Sequence, residues 1–169
     1  MLTIRAETPE DIPIIHHINT VAFERPNEAD LVDALRRNNA LTISLVAVQD
    51  SHLIGHIAFS PVTITSSIAI IEALGLGPMA VLPAYQRRGI GSQLVEAGLT
   101  ACYHTPYGIV VVLGHSYYYP RFGFTPAKPL GIVWEHDTPE EAFMVQELRE
   151  GVLTQTKGVV KYRPEFDVV

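Results

Sequence analysis

The chain has 169 residues, with 12 basic against 18 acidic for a net charge of −6, and 47% hydrophobic residues against 18% charged. That length suits a single domain, 1–169, with a sizeable core, and the composition excludes an intrinsically disordered chain. The acidic balance argues against nucleic acid or an anionic membrane as partner, no apolar run reaches transmembrane length, and the single Cys102 excludes an internal disulfide and fits a reducing cytoplasm.

The first residues lack the basic and apolar regions of a signal peptide. Residues 2–6 alternate apolar and polar and read as a first strand. Thr8-Pro9-Glu10-Asp11 then matches a helix start, with Thr8 as N-cap, Pro9 in the first helical position and Asp11 reaching back. Ile14, Ile15, Ile18, Val21 and Ala22 form its expected buried face, and Pro13 loosens its first turn. Asn27 caps a second helix that turns Leu31, Val32 and Leu35 inward, and Arg36 and Arg37 suit its negative C-terminal end. Residues 42–48 and 53–60 read as two strands joined by the short loop Gln49-Asp50-Ser51. Residues 68–82 read as a long fourth strand, which Gly75, Gly77 and Pro78 interrupt and distort.

The most informative stretch follows. Met79 to Leu82 is apolar, Pro83 stops the strand, and Gly89 and Gly91 open a tight turn. Ile90, Leu94, Ala97 and Ala101 then recur at helical spacing. A helix starting in glycines presents free backbone N–H groups and the positive end of its dipole. Glycines let a bulky anion approach that backbone, and Arg87 and Arg88 add charge beside it. This is a pyrophosphate cradle in outline. It has neither the Lys-Ser/Thr of a P-loop nor the Gly-x-Gly-x-x-Gly of a dinucleotide fold. Beyond it, residues 109–113 are a β-branched run suited to a buried, parallel strand, and residues 142–148 and 159–162 read as closing strands.

Gln86-Arg87-Arg88-Gly89-Ile90-Gly91 resembles, position for position, the Gln/Arg-x-x-Gly-x-Gly/Ala signature of the GNAT superfamily of N-acetyltransferases. Gly77 to Pro83 is similar to that family's fourth strand, and Tyr119-Pro120-Arg121-Phe122-Gly123-Phe124 resembles its Tyr-x-x-x-Gly-Phe ending. The resemblance covers residues 2–124; residues 125–169 match only in strand-like pattern. It implies an α/β (α+β) fold with a mixed, mostly antiparallel central sheet, splayed fourth and fifth strands and flanking helices. It further implies acetyl-coenzyme A (acetyl-CoA) as cosubstrate and no metal. The pantetheine arm would lie along Met79, Ala80 and Val81, and the pyrophosphate on Gln86, Arg87, Arg88, Gly89, Ile90, Gly91 and Ser92. The first two helices would wall the acceptor, a small-molecule or peptide amine. The fold accommodates a homodimer, on which the sequence is silent.

In the resembled family the tyrosine of that ending lies near the thioester sulfur, which makes Tyr119 the expected general acid and Tyr118 the next in line. A phenol of pKa about 10 is protonated at neutral pH, while a thiol is near about 8.5. Pro120 departs from the longer helix many members have here. Glu72, the only acid in residues 68–82, is the expected base, whereas Glu24 and Glu28 are alternatives for holding a cationic acceptor. Two rival readings stand beside this one. Gly114-His115-Ser116 follows a strand like a Gly-x-Ser-x-Gly hydrolase elbow, but Tyr118 replaces its last glycine. A non-catalytic acyl-CoA sensor on the same fold would keep the cradle without turnover. The pairs His16-His17 and His52/His56 do not converge as metal ligands, and Cys102 is expected to be packed.

Overall fold

The computed structural model describes residues 1–169. In chain order the elements are β1 (Leu2–Ala6), α1 (Ile12–Phe23), α2 (Asn27–Arg37), β2 (Ile43–Gln49), β3 (His52–Thr65), β4 (Ile70–Val81), α3 (Ile90–Cys102), β5 (Ile109–Leu113), β6 (Thr125–Pro126), β7 (Ile132–Trp134), β8 (Phe143–Glu147) and β9 (Gly158–Tyr162). The fold is mixed α/β: β4–β5 and β7–β9 pair in parallel, β1–β2, β2–β3, β3–β9, β5–β8 and β6–β8 antiparallel. Residues group into two compact units, Met1–Ser60 with Gly77–Ala101 and Pro164–Val169, and Pro61–Leu76 with Cys102–Arg163. β3 and β4 each contribute residues to both.

In the first unit β1 pairs with β2 from Leu2↔Gln49 to Ala6↔Leu45. The β2–β3 hairpin closes through Asp50 and Ser51, both left-handed at φ 51 and 68. The chain enters α1 through one 3₁₀ turn, Pro9–Asp11. There the Asp11 carboxylate accepts the Thr8 N–H at 2.7 Å and pairs with Arg5 at 2.7 Å. These partners hold its pKa down to about 2, with the Arg5 hydrogen bond the largest cause. Ile15, Val32 and Val46 form one apolar cluster, and Leu31, Leu35 and Ala40 another. The expected α1 face is corrected at two positions. Ile14 is exposed, and Asn19 takes a fully buried place beside Ile15 and Ile18. On α3 the buried stripe is Ile90, Leu94, Val95, Leu99 and Cys102, with Ala97 and Ala101 only half-buried. The cause is Phe59: a Cβ on Gly98 would stand 2.4 Å from its ring, so the helix turns its smallest residue toward that side chain.

In the second unit β5 pairs with β8 along all five residues, Ile109↔Glu147 to Leu113↔Phe143. Its parallel ladder with β4 is confined to Leu74↔Val110 and Gly75↔Val111. The core collects Val62, Ile64, Ala73, Ile109, Val111, Ile132, Phe143, Val145 and Val160. β3 runs on to Thr65 rather than ending at Ser60, because Val62 to Thr65 find a partner in β9. β6 and β7, of two and three residues, carry too few positions to display any alternation.

Candidate active site

The turn that opens α3 is built within the first unit. At the end of β4, Ala80 and Val81 are buried and Met79 half-buried, and the Leu82 N–H donates to the Ile54 carbonyl at 2.9 Å. Pro83–Tyr85 makes one 3₁₀ turn. Gln86 then ties the segment back to the strand: its backbone N–H reaches the Pro83 carbonyl at 3.3 Å, and its Nε2 donates to the Val81 carbonyl at 2.9 Å. With Gln86 fixed, Arg87 at φ 65 and Gly89 at φ 79 reverse the chain. The Gly89 carbonyl accepts the Gln93 N–H at 3.1 Å, which makes Gly89 the N-cap of α3. The amides of Ile90 and Gly91, with Ser92 beside them, thus form the first helical turn, the positive end of the α3 dipole. Arg87, Arg88 and Gly89 are exposed, Arg88 lies over the Tyr85 ring at 5.5 Å, and nothing comes within 4 Å of where a Gly89 Cβ would be. The turn offers amides, a dipole end and two guanidinium groups to an anion.

Tyr119 belongs to the second unit. It opens a four-residue 3₁₀ turn, Tyr119–Phe122, closed by Gly123 at φ 98. This is the short turn that Pro120 implies. The Tyr119 ring is 8% exposed and packs edge-on against Tyr118 at 5.0 Å and Phe124 at 5.8 Å. Burial, with Tyr118 adding to it, pushes the phenol up to about 12, so the proton stays on at every ordinary pH. Glu72 is exposed on β4 and makes no hydrogen bond or ion pair. Ser116 is exposed and hydrogen-bonds to no histidine. Glu28 is already engaged: Arg25 holds both its oxygens, at 2.9 and 2.5 Å. Cys102 is buried, which pushes its thiol up to about 12 and leaves it inert.

One constellation in the first unit escaped the sequence reading. Asn19 and His56 are fully buried. Asn19 Nδ2 contacts both the Ile15 carbonyl at 3.0 Å and His56 Nδ1 at 3.2 Å, so His56 Nδ1 accepts. The neutral ring therefore carries its proton on Nε2 and donates to Ser44 Oγ at 2.8 Å. Ser44 donates in turn to Glu7, whose two oxygens take Arg36 at 2.9 Å each. With Nε2 a donor, His56 cannot take the Ser44 proton. Serine, histidine and acid here form a structural relay, not an activated nucleophile. β3 is buried on both faces from Ile54 to Ser60, so period-two alternation gave no hint of an inward histidine.

A family model described as Acetyltransferase (GNAT) domain matches residues 3–127. Over 167 residues the chain is 36% identical to YhbS of Escherichia coli K12, an uncharacterized N-acetyltransferase, covering 98% of this chain and 99% of that one. The crystal structure of YhbS from Escherichia coli in complex with CoA matches at a TM-score of 0.91, covering 98% of this chain and 92% of that one. A GNAT family acetyltransferase from Brucella melitensis in complex with acetyl-CoA matches at 0.82 and 36% identity, covering 99% of each chain.

Proposed function

The chain belongs to the GNAT acetyltransferase family, and from that premise we propose that it moves acetyl from acetyl-CoA to a small-molecule or peptide amine by direct attack. The observation that carries this reading is the full-length likeness to two GNAT structures that hold CoA and acetyl-CoA. Residues 1–169 act as one domain in it. Support for that comes from β3 and β4, which run unbroken through both units.

Gln86 to Ser92 hold the pyrophosphate: the α3 amides and the helix dipole face it, and Arg87 and Arg88 neutralise it. Met79, Ala80 and Val81 carry the pantetheine arm, on the part of β4 that follows its last pair with β5 at Gly75. The amine nitrogen attacks the thioester carbonyl carbon, the tetrahedral intermediate expels the thiolate, and Tyr119 gives that sulfur its proton. Glu72, directly or through water, removes the proton from the attacking nitrogen. The products are an N-acetylated amine and CoA. Low solvent access at Tyr119 raises the proton affinity of a thiolate formed beside it as well as that of the phenol, so burial does not by itself set the phenol against the transfer. Thiol release from acetyl-CoA, screened over simple amines, α-amino amides and polyamines, tests the reading. Amine-dependent release with formation of the N-acetyl product is expected. Acetyl-CoA binding without release for any amine would leave a sensor instead.

A further inference from the structure

We infer that Gln146 is a positioning residue that aims the Tyr119 hydroxyl, with Gly114 making the space in which the ring is held; the inference rests on Tyr119 being the general acid. The segment that carries Tyr119 is fastened at both ends to β8 and the residue before it. At its start the Gly114 N–H donates to the Ala142 carbonyl at 2.9 Å. At its end Gln146 Nε2 donates to the Phe122 carbonyl at 2.6 Å. Between these fastenings the N–H groups of Tyr118 and Tyr119 both turn back to the His115 carbonyl, at 3.1 and 3.4 Å. Beyond them Thr125 and Pro126 pair with Val145 and Met144.

Two glycines fit this arrangement and no other residue would. A Cβ on Gly114 would stand 2.4 Å from Tyr119 Cε2, so the ring lies where any side chain at that position would be. Gly123 has φ 98, and its Cβ would stand 2.1 Å from Gln146 Nε2. The amide thus reaches the Phe122 carbonyl only because position 123 has no side chain. The other amide atom, Oε1, is buried without a hydrogen-bond partner. A buried acceptor left unmet costs about 1–3 kcal/mol, which offsets what the Nε2 bond contributes to stability. What the amide adds is a fixed Phe122 carbonyl, and with it a fixed turn under Tyr119. A shift of about 1 Å in a reacting group costs on the order of 100-fold in rate.

The test uses the full chain labelled with 3-fluorotyrosine, the Tyr119 ¹⁹F line being assigned by its loss in Tyr119→Phe. Gln146→Met should move or split that line while the far-UV spectrum and acetyl-CoA affinity stay as in the parent. Single-turnover acetyl transfer to glycinamide, with enzyme in excess, should slow about 10- to 100-fold in Gln146→Met. The same substitution should have no further effect in the Tyr119→Phe background. Gly114→Ala, which crowds the ring from the opposite end of the segment, should displace the same line. An unmoved Tyr119 line overturns the inference whatever the rate. So does equal slowing in both backgrounds, since Gln146 would then act on the fold and not through Tyr119. If Tyr119→Phe transfers acetyl as fast as the parent, the general-acid reading has failed and this role falls with it. A slowed Tyr119→Phe beside an unaffected Gln146→Met refutes the positioning role alone.

Discussion

The turn at the start of α3 and the turn at Tyr119 solve opposite problems. Residues 87–89 are exposed and offer backbone: left-handed Arg87 and Gly89, and an N-capping carbonyl that starts the first turn of α3. Tyr119 is buried and offers one side chain, held by aromatic edges and by residues far along the chain. An anion cradle made of main chain tolerates many side chains but not a lost glycine or an added negative charge. A phenol in the proposed role of proton donor tolerates neither its own loss nor a shift in its supports. Binding and chemistry should therefore fail separately.

The largest separation comes from the phenol. Tyr119→Phe should lower turnover by about 100- to 10,000-fold, the usual worth of positioned proton transfer, and leave the acetyl-CoA dissociation constant unchanged. Unaltered turnover would remove Tyr119 from the chemistry. The cradle should give the reciprocal result. Gly89→Asp places a carboxylate against the phosphates, and like charges so juxtaposed cost several kcal/mol, raising the dissociation constant about 100-fold or more. Gly89→Ala separates charge from conformation: with open space around the Cβ it meets only the left-handed strain, about 1–2 kcal/mol. If the alanine variant weakens binding as much as the aspartate variant, charge is not the reason.

Acid divides the regions more gently. Burial pushes His56 down to about 4; Glu7 favours its charge less strongly than burial opposes it, and Arg36 opposes it more weakly still. As pH falls through 6.5 the unfolded chain gains a proton that folded His56 refuses until about pH 4. Stability on this account is full above pH 6.5 and falls by about 3 kcal/mol across the window. Urea unfolding of the parent and of His56→Asn at pH 7 and 4.5 checks it: the parent should lose more stability than the variant, and equal losses would contradict the relay. The smallest expected effect is a flat one. With Tyr119 pushed up to about 12, turnover should rise with the acceptor amine's own deprotonation and show no falling limb below about pH 11. A descending limb near pH 9 would mean a different acid.

How much of this was legible followed the range over which each feature is decided. β1 and β5 were read to their ends, since alternation and a β-branched run are local signals. The α3 turn was legible for the same reason: its glycines, arginines and helix start lie within seven consecutive residues, 86–92. The burial of Asn19 was not legible, because the histidine that its amide contacts, His56, lies on β3, 37 residues further along the chain. β3 lengthened because β9, nearly a hundred residues later, pairs with its end. Tyr119 was readable as a motif residue, but its burial and the Gln146 and Gly114 contacts were not. Those depend on β8, and neither glutamine nor glycine announces a partner across a sheet.

The central claim is that the α3 turn binds the phosphate end of acetyl-CoA, and calorimetric titration of the purified, ligand-free protein tests it most directly. Acetyl-CoA and CoA should both bind with dissociation constants on the order of micromolar, and S-acetylpantetheine, which has no nucleotide half, should bind far more weakly. Absence of binding by folded protein, or equal affinity for S-acetylpantetheine and acetyl-CoA, would contradict the account.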